Sequence, residues 1–284
     1  MRAWRRDRLM KGAVLFMALP ALLLPAACLL YIFWRGASVL GWDFIATGGE
    51  GVRFGASTGV LPQLLGSLML ALGACLLAAP LALGTALYHR LYAGAAQRRI
   101  LDSMMGMLQG IPPIVFGLCG LIVFVHLLRW GVSLASGALI LALVVLPLMV
   151  ANMVAALARV PLSYTDAARS LGLSDLALIW RVWLPQSWAG VLTALLLAVA
   201  RSLSETAPIL FTATVFSGVQ WPHSIFQPVT SLQTHIFYLA QEGADPHAVT
   251  VAWGSAAVLV LLVLLFSLAA HLLKYLGERS WSQK

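Results

Sequence analysis

Residues 166–211, DAARSLGLSDLALIWRVWLPQSWAGVLTALLLAVARSLSETAPILF, join a charged, loop-like segment to a long apolar run that carries Arg201 and Glu205 in its interior. The two halves read differently. The first has the composition of a docking surface in water. The second is long enough to cross a hydrocarbon core, and an arginine held at that depth costs several kcal/mol unless it meets a counter-charge or a substrate.

Outward from this stretch the chain keeps the same apolar character. Of its 284 residues 61% are hydrophobic and 10% charged, with a mean hydropathy of +0.91. A soluble chain of this size could not cover itself with so little polar surface. The composition reads as an all-α polytopic membrane protein with six transmembrane helices, at 13–34, 60–88, 104–128, 134–158, 188–216 and 250–273. Each run can span a core of about 30 Å as a helix.

The basic residues orient these spans. On one side fall Arg2, Arg5, Arg6, Arg8 and Lys11, then Arg90, Arg98 and Arg99, then Arg159, Arg169 and Arg181, and finally Lys274, Arg279 and Lys284; Arg35, Arg53 and Arg129 fall on the other. Positive residues are retained in the cytoplasm, so both termini are expected inside. The net charge of +8 is thus a topology signal. Basic blocks interleaved with aromatics are absent, so the expected environment is the lipid bilayer and no nucleic acid. The first apolar run exceeds a cleaved signal in length and is expected to stay as an anchoring helix. The chain divides into 1–59 (tail, first helix and outer loop), 60–274 (a core of five helices with a loop at 161–185) and a tail at 275–284.

Catalytic signatures are missing. No lysine stands in a Gly-Lys-Ser/Thr phosphate loop, and no HExxH occurs, so the chain itself is not expected to be an enzyme. Cys28, Cys75 and Cys119 sit in separate spans without CxxC spacing and read as buried small hydrophobes. His223, His235 and His247 fall in the outer loop after the fifth span at a spacing unlike a compact ligand set. They are expected to be solvated, with no metal bound.

Within 161–185, Ser163 or Thr165 can cap a first helix, Asp166 favours its N-terminal dipole, and Gly172 marks a turn before a second helical run at 174–184. From spacing alone this is equally a docking knob or an amphipathic loop on the headgroups, with Trp180, Trp183 and Trp188 as interfacial anchors. In the fifth span Arg201 stands roughly 20 Å along a helix from Trp188, near mid-membrane. Glu205 lies one turn further on the same face. A guanidinium presents a planar fork suited to two oxygens of an oxyanion. Pro208 has no N–H for the carbonyl of Ser204, so the helix is expected to bend there, in a region enriched by the hydroxyls of Ser202, Ser204 and Thr206. The bland alternative is a neutral Arg/Glu pair that locks two helices. In the third span Gly110, Pro112 and Pro113 predict a broken or kinked helix.

Four further likenesses are local. Asp166-Ala167-Ala168, Gly172 and Leu184-Pro185 resemble the EAA loop of ABC-transporter permeases, with Asp166 where that family carries glutamate; the charge is kept and the reach shortened. The run from Gly110 through Pro112, Pro113 and Gly117 to Leu118 resembles the GxPSIVFGL segment of phosphate permeases, with Pro113 in place of serine. Ser204-Glu205-Thr206-Ala207-Pro208-Ile209-Leu210-Phe211-Thr212 resembles their GETAPLLFT segment, and Gln227-Pro228-Val229-Thr230-Ser231-Leu232 their QPVQTLP stretch. On these segments the chain is similar to the PstA-type permease subunits of phosphate ABC importers.

The resemblance implies a type I ABC importer permease fold with a cytoplasmic coupling helix, in the bacterial cytoplasmic (inner) membrane. It implies passage of inorganic phosphate by alternating access, with a substrate path at Arg201, Ser204, Glu205, Thr206 and Pro208. It implies an ATPase-coupling loop at Asp166, Ala167, Ala168, Gly172, Leu184 and Pro185. The partners implied are a homologous PstC-like permease subunit, two PstB-like subunits that hold the ATP and Mg, and an extracytoplasmic PstS-like phosphate-binding protein; this chain is expected to hold no cofactor. Other readings are a permease for sulfate, molybdate or phosphonate, a non-transporting scaffold, or an ion-gradient-driven secondary transporter. The last would place paired ionisable residues in both halves, whereas membrane-embedded charge is confined essentially to Arg201 and Glu205.

Overall fold

The computed structural model describes residues 2–48, 59–214, 222–241 and 243–282, so Arg53 and residues 215–216 of the expected fifth span lie outside it. Backbone in hydrocarbon must satisfy its own hydrogen bonds, and the apolar runs are accordingly helical. In chain order the helices are α1 (Arg2–Gly36), the short α2 (Trp42–Ala46), α3 (Leu61–Leu91), α4 (Ala95–Gly110), α5 (Pro113–Gly120), α6 (Leu134–Leu157), α7 (Leu162–Ser170), α8 (Asp175–Leu178), α9 (Leu184–Leu203), α10 (Ala207–Thr212), α11 (Leu232–Gln241) and α12 (Pro246–Ser282). Five of the described helical stretches are long and apolar enough to cross a membrane, and a sixth forms if α4 and the helix that follows it count as one broken span.

The core is the meeting of α3, α6 and α9. Ala71, Ala74, Ala78, Ala82 and Ala86 of α3 recur at helical spacing and are all buried against Leu141, Val145, Met149 and Met153 of α6 and Ala194 and Ala198 of α9. Lipid tails are as apolar as leucine, so helices associate there by close contact, which small residues permit. α12 closes the bundle against α9 and carries α1 on its outer side, where Tyr31 meets Trp253 edge-on at 5.3 Å.

Two spans depart from continuous helices. The third is broken outright: α4 and the helix after it differ in direction by 88°. Ile111 and Pro112 are extended between them (ψ 126° and 136°) because each precedes a proline, which disfavours the helical basin. The helix that begins with α5 ends in a π-helical stretch, Leu121–Leu127.

The fifth span, expected at 188–216 with a bend at Pro208, instead stops at Leu203 and restarts at Ala207. Pro208 lies in the first turn of α10, where its missing N–H costs nothing. Its ring would clash with the carbonyl four residues back, so the chain leaves the helix at Ser204. At its other end α9 runs back through a π-helical stretch, Ile179–Trp183, into α8, making one span of Asp175–Leu203. The separate second helix expected at 174–184 is therefore the start of this span. The π stretch is the local adjustment that admits Pro185, which has no N–H, into a continuous helix.

α7 also differs from expectation in its cap. It starts after Pro161 without a side-chain cap, and Ser163 and Thr165 lie inside it. Gly172 does make the turn, with φ +76°, and Ser174 caps α8 by accepting the N–H of Ala177.

Candidate functional site

Two contacts fix the depth of Arg201. Gly190 of α9 lies tightly against Ala156 near the end of α6. Eleven residues later, about 16 Å along α9, Arg201 is level with the middle of the antiparallel α6. Independently, Ser202 Oγ lies 4.0 Å from Cys75 Sγ, and Cys75 is central in the 31-residue α3.

Arg201 Nη2 is 2.6 Å from Glu205 Oε1; the arginine side chain is 50% exposed and the carboxylate 6%. That approach is off the line of an N–H hydrogen bond, and Oε1 is buried without a hydrogen-bond partner. The pair is thus held by charge, with the guanidinium half exposed and the carboxylate buried.

The broken end of α9 leaves carbonyls that need donors. Ser204 N–H bonds to Arg201 O at 3.1 Å and Glu205 N–H to Ser202 O at 3.2 Å, a tightened last turn. Leu203 O is satisfied from elsewhere: Gln233 Nε2 of α11 donates to it at 2.7 Å. Gln233 Oε1 accepts from Ser67 Oγ of α3 at 2.9 Å, and Ser67 Oγ accepts the Leu232 N–H at 2.8 Å. Sequence reasoning missed Gln233 and Ser67. The only available signal was a glutamine directly following the QPVTSL stretch, and its partners are distant in the chain.

The three segments likened to phosphate permeases converge at this break. Gly117 of α5 faces the Ala207 carbonyl and Pro208 Cα so closely that a Cβ there would lie 3.0 Å from each. Gly120 meets Thr212. The stretch before α11 is tied in by Val229 N–H to Ala213 O at 3.0 Å, while Gln227 O accepts the Leu134 N–H at 2.9 Å. Its Thr230 carbonyl rests on Gly66, where an added Cβ would stand 1.9 Å away. Ser204 is exposed, Thr206 half-buried and Pro208 buried; Gly110, Pro112 and Pro113 form the elbow of the third span. A cavity of about 370 Å³ opens between α6, α9 and α12 toward the α7 end, lined in part by Asn152, Arg159, Gln186, Thr193, Leu197 and Lys274. Leu197 is one helical turn from Arg201.

At the α7 end, Asp166, Ala167 and Gly172 are exposed and Ala168 is buried. Leu184 and Pro185 sit in the first turn of α9. Large apolar side chains stand in the open around them, at Leu162, Tyr164, Leu171 and Leu176. Of the three tryptophans expected as anchors, Trp180 and Trp188 are exposed, but Trp183 is fully buried and donates from Nε1 to Thr165 Oγ1 at 3.2 Å. That bond ties α7 to the root of α9.

The cysteine and histidine expectations need correction. Cys75 is buried, whereas Cys28 and Cys119 are exposed, because they lie on outward faces of α1 and α5 with no neighbouring helix over them. His223 and His247 are exposed, but His235 is buried on α11, which packs against α3 and α12. Among the described residues no group of three or more His, Cys, Asp or Glu converges.

Comparison with known proteins gives the class to which this broken, cation-bearing span belongs, a membrane permease subunit. The chain belongs to the family of binding-protein-dependent transport system inner membrane components, whose model matches residues 78–283. It is 32% identical over 255 residues to the probable ABC transporter permease protein YqgI of Bacillus subtilis (strain 168), covering 85% of each chain. It is 34% identical over 218 residues to the phosphate transport system permease protein PstA of Xylella fastidiosa (strain Temecula1), covering 76% of this chain and 74% of that one. Among solved structures it resembles the inward-facing MetNI methionine ABC transporter, with a TM-score of 0.57 and 17% identity over 76% of this chain and 94% of that one. An amino acid ABC transporter gives a TM-score of 0.53 at 20% identity, over 76% and 92% of the two chains. These likenesses establish the type I importer permease fold.

Proposed function

We propose that this subunit carries inorganic phosphate across the bacterial cytoplasmic membrane, with both termini in the cytoplasm. The observation that carries the reading is Arg201: a half-exposed guanidinium at mid-bundle, paired by charge to a buried carboxylate that is otherwise without a hydrogen bond. A structural ion pair would be expected to bury both partners and satisfy them. An anion-exchanging pair needs an accessible cation. Relatives named as phosphate permeases, such as that of Xylella fastidiosa, support phosphate over sulfate or molybdate.

In this reading an external binding protein delivers phosphate at the end of the bundle that carries α11. The Ser204 hydroxyl, which donates to the Ala200 carbonyl at 3.0 Å, and the Thr206 hydroxyl stand near Arg201, and in this reading both turn to the anion when it arrives. The cavity below, with Asn152, Arg159, Gln186 and Lys274, is the way out to the cytoplasm. A second, related permease subunit completes the path, and two ATP-binding subunits receive the α7 loop. Asp166, Ala167 and Gly172 with the exposed Leu171 form the knob, and its apolar side chains gain a cover on docking. Closure of the ATPases then rocks α9 about the break, changing access to Arg201 from outside to inside.

The test is uptake of labelled phosphate at micromolar concentration in a host lacking this gene, restored with wild type or Arg201→Ala. Loss on deletion, rescue by wild type and failure of an assembled Arg201→Ala subunit are expected. Intact phosphate uptake in the deletion strain, with another oxyanion's uptake impaired, would keep the permease and remove the substrate.

A further inference from the structure

We infer that Gln233 is a positioning residue of the proposed anion site: it caps the broken end of α9 from α11 and so sets where Arg201 and Glu205 stand. The inference rests on the reading of Arg201 as the anion site and adds a residue outside every segment that suggested that reading.

Every exposed carbonyl of the last turn up to Leu203 is accounted for, and Leu203 O alone depends on another element. It lies between Arg201 and Glu205 in the chain, so whatever holds it holds the separation and angle of the pair. Gln233 is itself 5% exposed, and both ends of its amide are used, one toward α9 and one toward Ser67 of α3. Only an uncharged side chain of this length with both a donor and an acceptor does this. An ionised glutamate has no donor for Leu203 O, and leucine has neither group.

The anchor is rigid. Ser67 Oγ also takes the Leu232 N–H, and its single proton is shared between Gln233 Oε1 and Gln63 O, each at 2.9 Å, while the bare Cα of Gly66 admits the Thr230 carbonyl one residue earlier. Leu203 O, the start of α11 and the first turns of α3 therefore form one buried polar knot. A displacement of the 227–231 stretch is passed to the Arg201–Glu205 break through one amide. This gives the far end of the bundle, where an external partner would dock, a direct mechanical line to the site.

The experiment uses the assembled transporter, with Gln233→Leu, Gln233→Glu and the milder Ser67→Ala. Labelled-phosphate uptake at subsaturating concentration is expected to fall about tenfold or more for both Gln233 variants, since small misplacement of a binding group costs about that much or more. Ser67→Ala is expected to cost less alone, and less than its single-variant loss in the Gln233→Leu background, where only its bonds to Leu232 and Gln63 remain to be lost. Hydrogen exchange followed by mass spectrometry is expected to speed up in peptides covering 200–210 while those of α6 and α12 stay as in wild type. Uptake within twofold of wild type for Gln233→Leu, with Arg201→Ala inactive, would overturn the inference. So would a loss of protection spread over α3, α6 and α12 together, which marks a merely structural glutamine. If Arg201→Ala transports normally, the anion site falls and the positioning role with it, whereas the exchange data then still report the cap separately.

Discussion

Removing Arg201 alone should cost more stability than removing both charges, while the two changes should have the same consequence for transport. Arg201→Ala leaves the Glu205 carboxylate, 6% exposed, without its counter-charge. Breaking a buried pair in this way costs about 3–5 kcal/mol, and because the arginine side is half solvated a figure of about 2–3 kcal/mol is appropriate here. For a chain of this size that is a fall of roughly 3–5 °C in apparent melting temperature. Adding Glu205→Gln removes the stranded charge, so the double variant should recover most of the loss. Neither variant offers the anion its guanidinium, and both should take up phosphate at least about a hundredfold more slowly, equivalent to losing about 3 kcal/mol of charge-assisted contacts. Fluorescence-detected size exclusion after graded heating gives the first quantity, and labelled-phosphate uptake in the deletion host the second. Wild-type uptake by the stable double variant would refute the reasoning, since the pair would then be structural. An unchanged melting temperature for Arg201→Ala would refute the electrostatic part.

Three other outcomes are expected. Trp183→Phe removes the Nε1 donor to Thr165 and part of a fully buried ring, at about 1–3 kcal/mol, and should lower phosphate moved per ATP hydrolysed in the reconstituted complex more than ATP hydrolysis itself; an unchanged ratio would detach α7 from the coupling role. Gly66→Ala puts a Cβ 1.9 Å from the Thr230 carbonyl and should displace 229–231, lowering uptake about tenfold or more, whereas Gly84→Ala on the same helix meets nothing within 4 Å and should be neutral or slightly stabilising in the same assays. Gly172→Ala strains a turn at φ +76° by about 1–2 kcal/mol, to be read as weaker co-purification of the ATP-binding subunits.

The spans and the charged pair were legible because both rest on one-dimensional signals: run length in hydrocarbon for the helices, and the cost of embedded charge for Arg201 and Glu205. The breaks were legible only in part. Pro112 and Pro113 marked the third span, but proline acts on the residues before it, so in the fifth span the helix ends at Leu203 where the reading had placed a bend at Pro208. Pro185 misled in the other direction, since a π stretch carries it inside a continuous helix. Trp183, Gln233 and Ser67 were misread or missed because their roles depend on partners 18, 30 and 166 residues away in the chain. Composition placed His235 in solvent for the same reason: its neighbours are α3 and α12, and nothing in the local stretch announces them.

The ends of α9 explain how a push on the loop could reach the anion site. Its root is fixed to α7 through Trp183 and Thr165, and its tip to α11 and α3 through Gln233. The 20 residues between them make a rod of about 30 Å, with no proline beyond the first turn and its one glycine, Gly190, wedged against Ala156. A rod so built transmits rotation with little internal bending. Compliance lies instead at Ser204–Thr206, where the α-helical ladder gives way to the shorter bonds from Ser204 and Glu205 back to Arg201 and Ser202, and those residues flank the Arg201–Glu205 contact. Movement of α7 in the proposed cycle would thus be spent at the break, opening or closing the distance between guanidinium and carboxylate. Stiffening the rod should therefore leave transport intact, while shifting either of its two anchors should not.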